Sequence, residues 1–173
     1  MRQFASGHFR LRETPASLRL TYGGFLVITA IGLATQFGFQ AGRIGLSPAA
    51  IAAYYRGGEA DGTMSFPKPF GHLLEVTHAH AFVMALIFLV LAHLFLGASK
   101  FSARAKRGVI TAAFGGIVAD LVTPWLIRYA GAVFAWGLLG AWLLLTVSGF
   151  VMVGLSLWDC LTGMPTPETS PNR

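Results

Sequence analysis

The side chains best suited to chemistry are ionisable groups that lie inside strongly apolar stretches of the chain. Such groups are costly to place in a lipid bilayer, and those retained there are functional candidates by default. We therefore treat these side chains as the candidate site. One stretch, residues 70–98, carries His72, Glu75, His78, His80 and His93, and the next carries Asp120 and Arg128.

Helical spacing separates these side chains into faces. At about 100° per residue, Glu75 and His78 lie one turn apart on one face, and His93 lies almost directly below Glu75 at about 27 Å. His80 points away from His78, so these two imidazoles cannot chelate one metal ion on a helix by themselves.

The depth of each side chain in the membrane predicts which of these groups lie close together. His78 lies about 12 Å into its stretch and Asp120 about 13 Å from the end of the next one, on the same side. Pro124 has no N–H, so it leaves the carbonyl of Asp120 without its helical donor. We therefore expect Glu75, His78 and Asp120 to converge at one level.

Two cofactor hypotheses follow from this set. Imidazole and carboxylate ligands suit iron, copper or zinc, which predicts a metal site formed by Glu75, His78, Asp120 and His72. Haem b would need two axial ligands from different helices. Its candidates are His78, His80, His93 and, from a later stretch, Met152; alternatively, a homodimer would bring a histidine to its own copy.

Two further hypotheses need no bound cofactor. A relay of Asp120, Arg128 and His78 could bind a quinone carbonyl and pass protons. Alternatively, the polar groups could fix helix register in a structural or assembly subunit of a larger membrane complex. The motifs of nucleophilic catalysis and of phosphate-binding loops are missing, so we do not expect a stand-alone enzyme.

Composition identifies the elements that position these groups. The chain is 54% hydrophobic and 12% charged, whereas soluble domains are about 25% charged. This excludes an ordinary soluble enzyme and a nucleic-acid-binding domain, and the single cysteine, Cys160, excludes a disulfide scaffold. The stretches at about 22–40, 70–98, 108–129 and 133–158 are each long enough to cross a bilayer. The fold class is therefore all-α, a polytopic four-transmembrane-helix bundle.

The connecting segments complete this architecture. Ser47 followed by Pro48 is typical of a helix start and predicts a short interfacial helix in the first external loop. Residues 1–162 form one transmembrane domain, and the Pro/Thr/Ser-rich residues 163–173 form a disordered tail. Nine of the 13 lysines and arginines lie in the N-terminal tail, the loop between the second and third spans and the C-terminal tail. That asymmetry predicts cytoplasmic termini.

The short four-span architecture, with Glu75, His78 and His80 near the start of the second span, resembles small membrane subunits of bacterial redox complexes. The resemblance implies a place in the bacterial inner membrane, in contact with lipid and with other membrane subunits or a second copy. The sequence thus predicts an integral membrane subunit of an electron-transfer assembly with a His/carboxylate site. The alternatives are a quinone- or proton-handling anchor and a structural subunit.

Overall fold

The computed structural model describes residues 9–60 and 62–163 of the chain. Four of its helices are long and apolar enough to cross a membrane, which confirms the predicted all-α, four-span architecture. The predicted tail lies almost wholly outside the described residues. In chain order the elements are a 3-10 helix at Leu11–Glu13, α1 Ala16–Arg43, α2 Pro48–Arg56, β1 Gly58–Ala60, β2 Thr63–Ser65, α3 Phe70–Leu96, α4 Ala103–Tyr129, a 3-10 helix at Ala132–Phe134 and α5 Ala135–Thr162.

Most of the spanning helices extend beyond the apolar stretches that predicted them. α4 begins five residues before the predicted boundary, where the hydroxyl of Ser102 accepts a hydrogen bond from the backbone N–H of Ala105 at 3.3 Å. Its first turn contains Arg104 and Lys106. Hydropathy detects only the part of a helix that suits hydrocarbon, whereas the hydrogen-bonded helix continues into the polar boundary.

The predicted helix between the first two spans is α2, and it packs onto the bundle. The Ser47 hydroxyl accepts from the backbone N–H of Ala50 at 3.0 Å, and the helix ends at Gly57, whose φ is +82°. Ile51 is fully buried in a cluster with Ile127 of α4 and Leu138 of α5. A two-stranded antiparallel hairpin of β1 and β2, which the sequence did not predict, follows α2.

The spanning helices pack unevenly. α4 and α5, joined by a short turn, form the closest pair, while α1 lies along α5 and α3 lies on both α4 and α5. A Cβ atom at Gly149 of α5 would meet the side chain of Leu33 at 2.9 Å, so glycine permits the close approach of α1. α1 and α3 have hardly any close backbone contact with each other.

Buried polar side chains form hydrogen bonds at the C-terminal end of α3 and in the loop that follows it. Lys106 donates from Nζ to the carbonyls of Leu96 at 2.9 Å and Ala98 at 2.5 Å. Asp159 of α5 is fully buried and accepts hydrogen bonds from the backbone N–H and the hydroxyl of Ser99. The bonds from Lys106 satisfy carbonyl groups at the end of the helix, which leaves its last carbonyls without partners. The bonds to Asp159 satisfy the N–H and the hydroxyl of Ser99 in the loop that follows.

Candidate functional site

Three spanning helices meet at the carboxylate of Asp120. Nδ1 of His80 on α3 lies 3.4 Å from Oδ2 of Asp120 on α4. The indole Nε1 of Trp142 on α5 donates to Oδ1 of Asp120 at 3.1 Å. The side chain of Asp120 is only 11% exposed, whereas that of His80 is 45% exposed. Each carboxylate oxygen therefore has a neighbour, and the imidazole stays accessible.

The α4–α5 hairpin explains why Trp142 reaches Asp120. Asp120 precedes Gly131 in the turn by eleven residues, and Trp142 follows it by eleven. Residues at equal distances from a tight helical hairpin lie at equal heights. Pro124 is part of α4, and its ring leaves the carbonyl of Asp120 without the N–H that a helix normally supplies.

A cavity of about 290 Å³ surrounds the His80–Asp120 pair, and all five α-helices line it. Its apolar wall includes Phe39 of α1 and Val76 of α3. A few converging polar groups in a mostly apolar cavity are typical of a small-molecule site. Besides the His80–Asp120 pair, polar side chains come from Gln36, Gln40, Arg43, Tyr54, Tyr55, His72 and Thr77.

Tyr55 supplies a neutral hydroxyl from α2, outside the spans. Burial raises the pKa of Tyr55 well above its ordinary value, and the negative charge of Asp120 and the neighbouring Tyr54 raise it further. The phenol therefore keeps its proton at neutral pH and remains a hydrogen-bond donor. The Tyr54 ring packs edge-on against Tyr55, with centroids 5.0 Å apart, and lies 3.9 Å from Nζ of Lys68.

The cavity is partly lined by α1 and α3, two spanning helices with hardly any close backbone contact with each other. His80 is about 15 Å along α3, yet its side chain is 45% exposed. At that depth a surface faces acyl chains rather than water. The partly exposed His80 and the nearly buried Asp120 therefore share a cavity whose wall includes both of these helices.

The structure brings His80, and not His78, to Asp120, so the expected convergence of Glu75, His78 and Asp120 is not found. His78 is exposed and packs edge-on against Phe82, with centroids 5.1 Å apart. Glu75 is exposed on the same face. The reason is the helical period, which places His78 about 160° around α3 from His80, and α3 turns the His80 face toward α4.

The other candidate residues lie apart from one another. His72 lines the cavity, while His93 lies toward the other end of α3 and stacks on Phe9 at 5.4 Å. Met152 is fully buried in the main core, and Nε of Arg128 donates to the carbonyl of Lys68 at 3.0 Å. Among residues 9–60 and 62–163, no group of three or more His, Cys, Asp or Glu side chains could hold a metal ion.

Sequence reasoning missed the role of Tyr55 and Trp142 at this site. The signal for Trp142 was its distance from the α4–α5 turn, which matches that of Asp120. Tyr55 carried no comparable signal, because the contact depends on how α2 folds back over α4 and α5.

The comparisons with known proteins identify one family. The family model Aq_1264_TM, described as a transmembrane helical domain, matches residues 45–167. That range covers α2, α3, α4 and α5, and with them His80, Asp120 and Trp142. The matched range therefore contains most of the cavity wall. No curated protein and no solved structure matches the chain.

Proposed function

The chain belongs to this family of transmembrane helical domains and is a multi-pass membrane protein; from that premise we propose that it is a membrane subunit of a redox assembly that binds a quinone. The observation that carries this proposal is the His80–Asp120 pair in a largely apolar cavity. We propose that this cavity opens to lipid between α1 and α3, and we call that opening the gap. A ligand that enters this cavity from the lipid needs a polar head that can form hydrogen bonds with His80 and Asp120. It also needs an apolar body that is soluble among acyl chains.

The polar groups match the two oxidation states of a quinone head. The hydroxyl of Tyr55 and an imidazole N–H of His80 are donors suited to a quinone carbonyl, and the carboxylate of Asp120 is an acceptor suited to a quinol hydroxyl. Reduction of a quinone to a quinol takes up two electrons and two protons. In this proposal the electrons come from a redox centre on a partner subunit. His80 and Asp120 each take up one proton from the aqueous side and pass it to a quinone oxygen, which returns Asp120 to the carboxylate and His80 to the neutral imidazole.

The apolar side chains of the cavity wall suit the isoprenoid tail of a quinone. Phe39 and Val76 line the cavity on the two sides of the gap, and Phe39 is 52% exposed. An isoprenoid tail could therefore stay among lipid chains while the ring occupies the cavity. A water-soluble substrate would gain nothing from an opening at this depth.

Haem b and a bound transition metal are the competing hypotheses. His78, a haem candidate, lies on the outer surface of α3, where only another chain could complete its coordination. Two imidazoles line the cavity, those of His72 and His80, and His80 already faces Asp120. The quinone proposal needs a partner subunit for electrons but no ligand from it at the cavity, and an optical spectrum separates this proposal from haem b.

The proposed setting is the bacterial inner membrane, with both termini in the cytoplasm. Support comes from the positive charges, which gather near the start of α1 and in the α3–α4 loop, at Lys100, Arg104, Lys106 and Arg107. This orientation puts the cavity in the outer half of the membrane, and protons would exchange on that side.

The test is quinone binding by the purified protein in mild detergent. A short-chain quinone should quench tryptophan fluorescence saturably, because Trp142 forms part of the cavity wall. We expect Asp120→Asn and His80→Gln to raise the dissociation constant at least tenfold. The matched control is His78→Gln on the opposite face of α3, which should leave binding unchanged.

Two results would contradict the proposal. One is quenching that does not saturate in the wild-type protein. The other is a pair of sharp b-type bands in the reduced-minus-oxidised spectrum that disappears in the His80→Gln protein, which would make His80 a haem ligand.

A further inference from the structure

The outer face of α3 carries an exposed, regularly spaced row of residues that we call the α3 seam. Its members follow one another at intervals of four, three, four, three and four residues, and every one is exposed. Phe82 is 70% exposed and Leu89 60%. The α3 seam consists of Gly71, Glu75, His78, Phe82, Ala85 and Leu89.

Two members of the α3 seam are poorly suited to contact with lipid. Glu75 and His78 lie about 7.5 Å and 12 Å along a helix that crosses the membrane. An acid and an imidazole that face acyl chains without a partner carry a large free-energy cost. Intramembrane ionisable groups almost always face protein or water instead, so another protein surface is expected on this face.

The spacing indicates what kind of surface that is. Alternating intervals of three and four residues average 3.5, the repeat that keeps one row of side chains against a second helix in a left-handed pair. Small residues at such contacts let the two backbones approach, and Gly71 and Ala85 supply them. Phe82 and Leu89 supply the larger side chains that fill the spaces between helices.

We propose that the partner is a second copy of this chain, which packs its own α3 seam against the first in a parallel dimer. Two copies insert in the same orientation, so a two-fold axis runs along the membrane normal and equivalent residues meet at equal heights. Glu75 of one copy then lies about 4.5 Å in height from His78 of the other. The dimer gains two reciprocal acid–imidazole hydrogen bonds, and no other charge is needed.

The α3 seam and the cavity lie on opposite faces of α3. His80, which faces Asp120, is about 160° around the helix from His78. A dimer through the α3 seam therefore leaves both cavities and both gaps between α1 and α3 open to lipid. The dimer proposal is independent of whether the cavity binds a quinone.

Cysteine cross-linking tests the geometry directly. The background is Cys160→Ala, since Cys160 is the single cysteine of the chain. Ala85→Cys and Leu89→Cys lie on the α3 seam; Val83→Cys is the matched control, because Val83 is 55% exposed but lies about 100° away from Phe82. Oxidation in membranes should give disulfide-linked dimers at positions 85 and 89, at least ten times more than at position 83. Equal cross-linking at all three positions, or none, would overturn the proposal.

A second measurement tests the polar pair. Resonance energy transfer between labelled copies in lipid vesicles gives the dimer dissociation constant. Glu75→Leu and His78→Leu should each raise it about tenfold, the scale of one or two intramembrane hydrogen bonds. The double variant Glu75→His with His78→Glu should restore most of the affinity, because the reciprocal pairs re-form. A monomeric wild-type protein, or a double variant as weak as the single ones, would refute the pairing.

Discussion

The imidazole of His80 lies 3.4 Å from the carboxylate of Asp120, although the two residues belong to different spanning helices. In this contact the imidazole of His80 is accessible and the carboxylate of Asp120 is nearly buried. Trp142 holds the buried carboxylate from a third helix. This polar pair, kept in place at this depth, is the feature of the described residues on which we base the proposed chemistry.

Removal of the indole donor of Trp142 should weaken quinone binding in the cavity without abolishing it. In Trp142→Phe, Oδ1 of Asp120 loses a hydrogen bond of about 1 kcal/mol, so the dissociation constant for a short-chain quinone should rise about fivefold. Binding is measured by competition with a labelled quinone, because the substitution changes the fluorescence. Trp136→Phe is the control, since Trp136 is 67% exposed; an equal loss of binding in both variants would contradict this role.

The polar groups at the end of α3 should contribute to stability. Lys106→Met leaves the carbonyls of Leu96 and Ala98 without their donor, at a cost of about 1–3 kcal/mol. We expect a lower midpoint of thermal unfolding in detergent and unchanged quinone affinity. Arg107→Met, at the next and exposed position, should change neither. If the Arg107→Met protein melts as early as the Lys106→Met protein, the loss reflects surface charge alone.

Gly57 should be intolerant of a side chain. Its φ of +82° is in the left-handed region, and an added Cβ would collide with the ring of Pro67. Gly57→Ala should cost about 1–3 kcal/mol of stability and should weaken quinone binding, because α2 carries Tyr55. Gly154→Ala is the comparison, as that helical position has open space. Equal melting of the two variants would show that the turn adapts.

Tyr55 should make stability fall in alkaline solution. Its pKa is raised above the ordinary 10.0 in the folded protein, so the folded chain keeps a proton that the unfolded chain loses. Stability from this group is complete below about pH 10 and declines as the pH rises further. The midpoint of unfolding should therefore fall less steeply between pH 9.5 and 11 in Tyr55→Phe than in the wild type. Tyr129→Phe, at an exposed tyrosine, should keep the wild-type slope.

The architecture could be predicted from the sequence, whereas the pairing inside it could not. Hydropathy alone located four spans, and the Ser47–Pro48 start located α2. The choice between His78 and His80 as the neighbour of Asp120 depends on the rotation of α3 about its axis. That rotation is set by packing of residues such as Leu73 and Phe95 against the other helices, which local sequence does not encode.

The depth of a residue in the membrane could be predicted from the sequence, because depth does not depend on how a helix is rotated about its axis. Asp120 does lie in a polar site at the level of the early turns of α3, as its distance from the α4–α5 turn required. Glu75 and His78 were grouped with it because they share that level. In the structure they lie on the exposed face of α3 instead and are part of the α3 seam.

The most direct test of the central claim is photolabelling of the protein in lipid vesicles with an azido-substituted short-chain quinone, followed by mapping of the labelled peptides. The account predicts label on the α1 and α3 segments around Phe39 and Val76, suppressed by excess unlabelled quinone and lost in Asp120→Asn. Label spread over the outer faces of the bundle, unaffected by competitor or by the substitution, would contradict it.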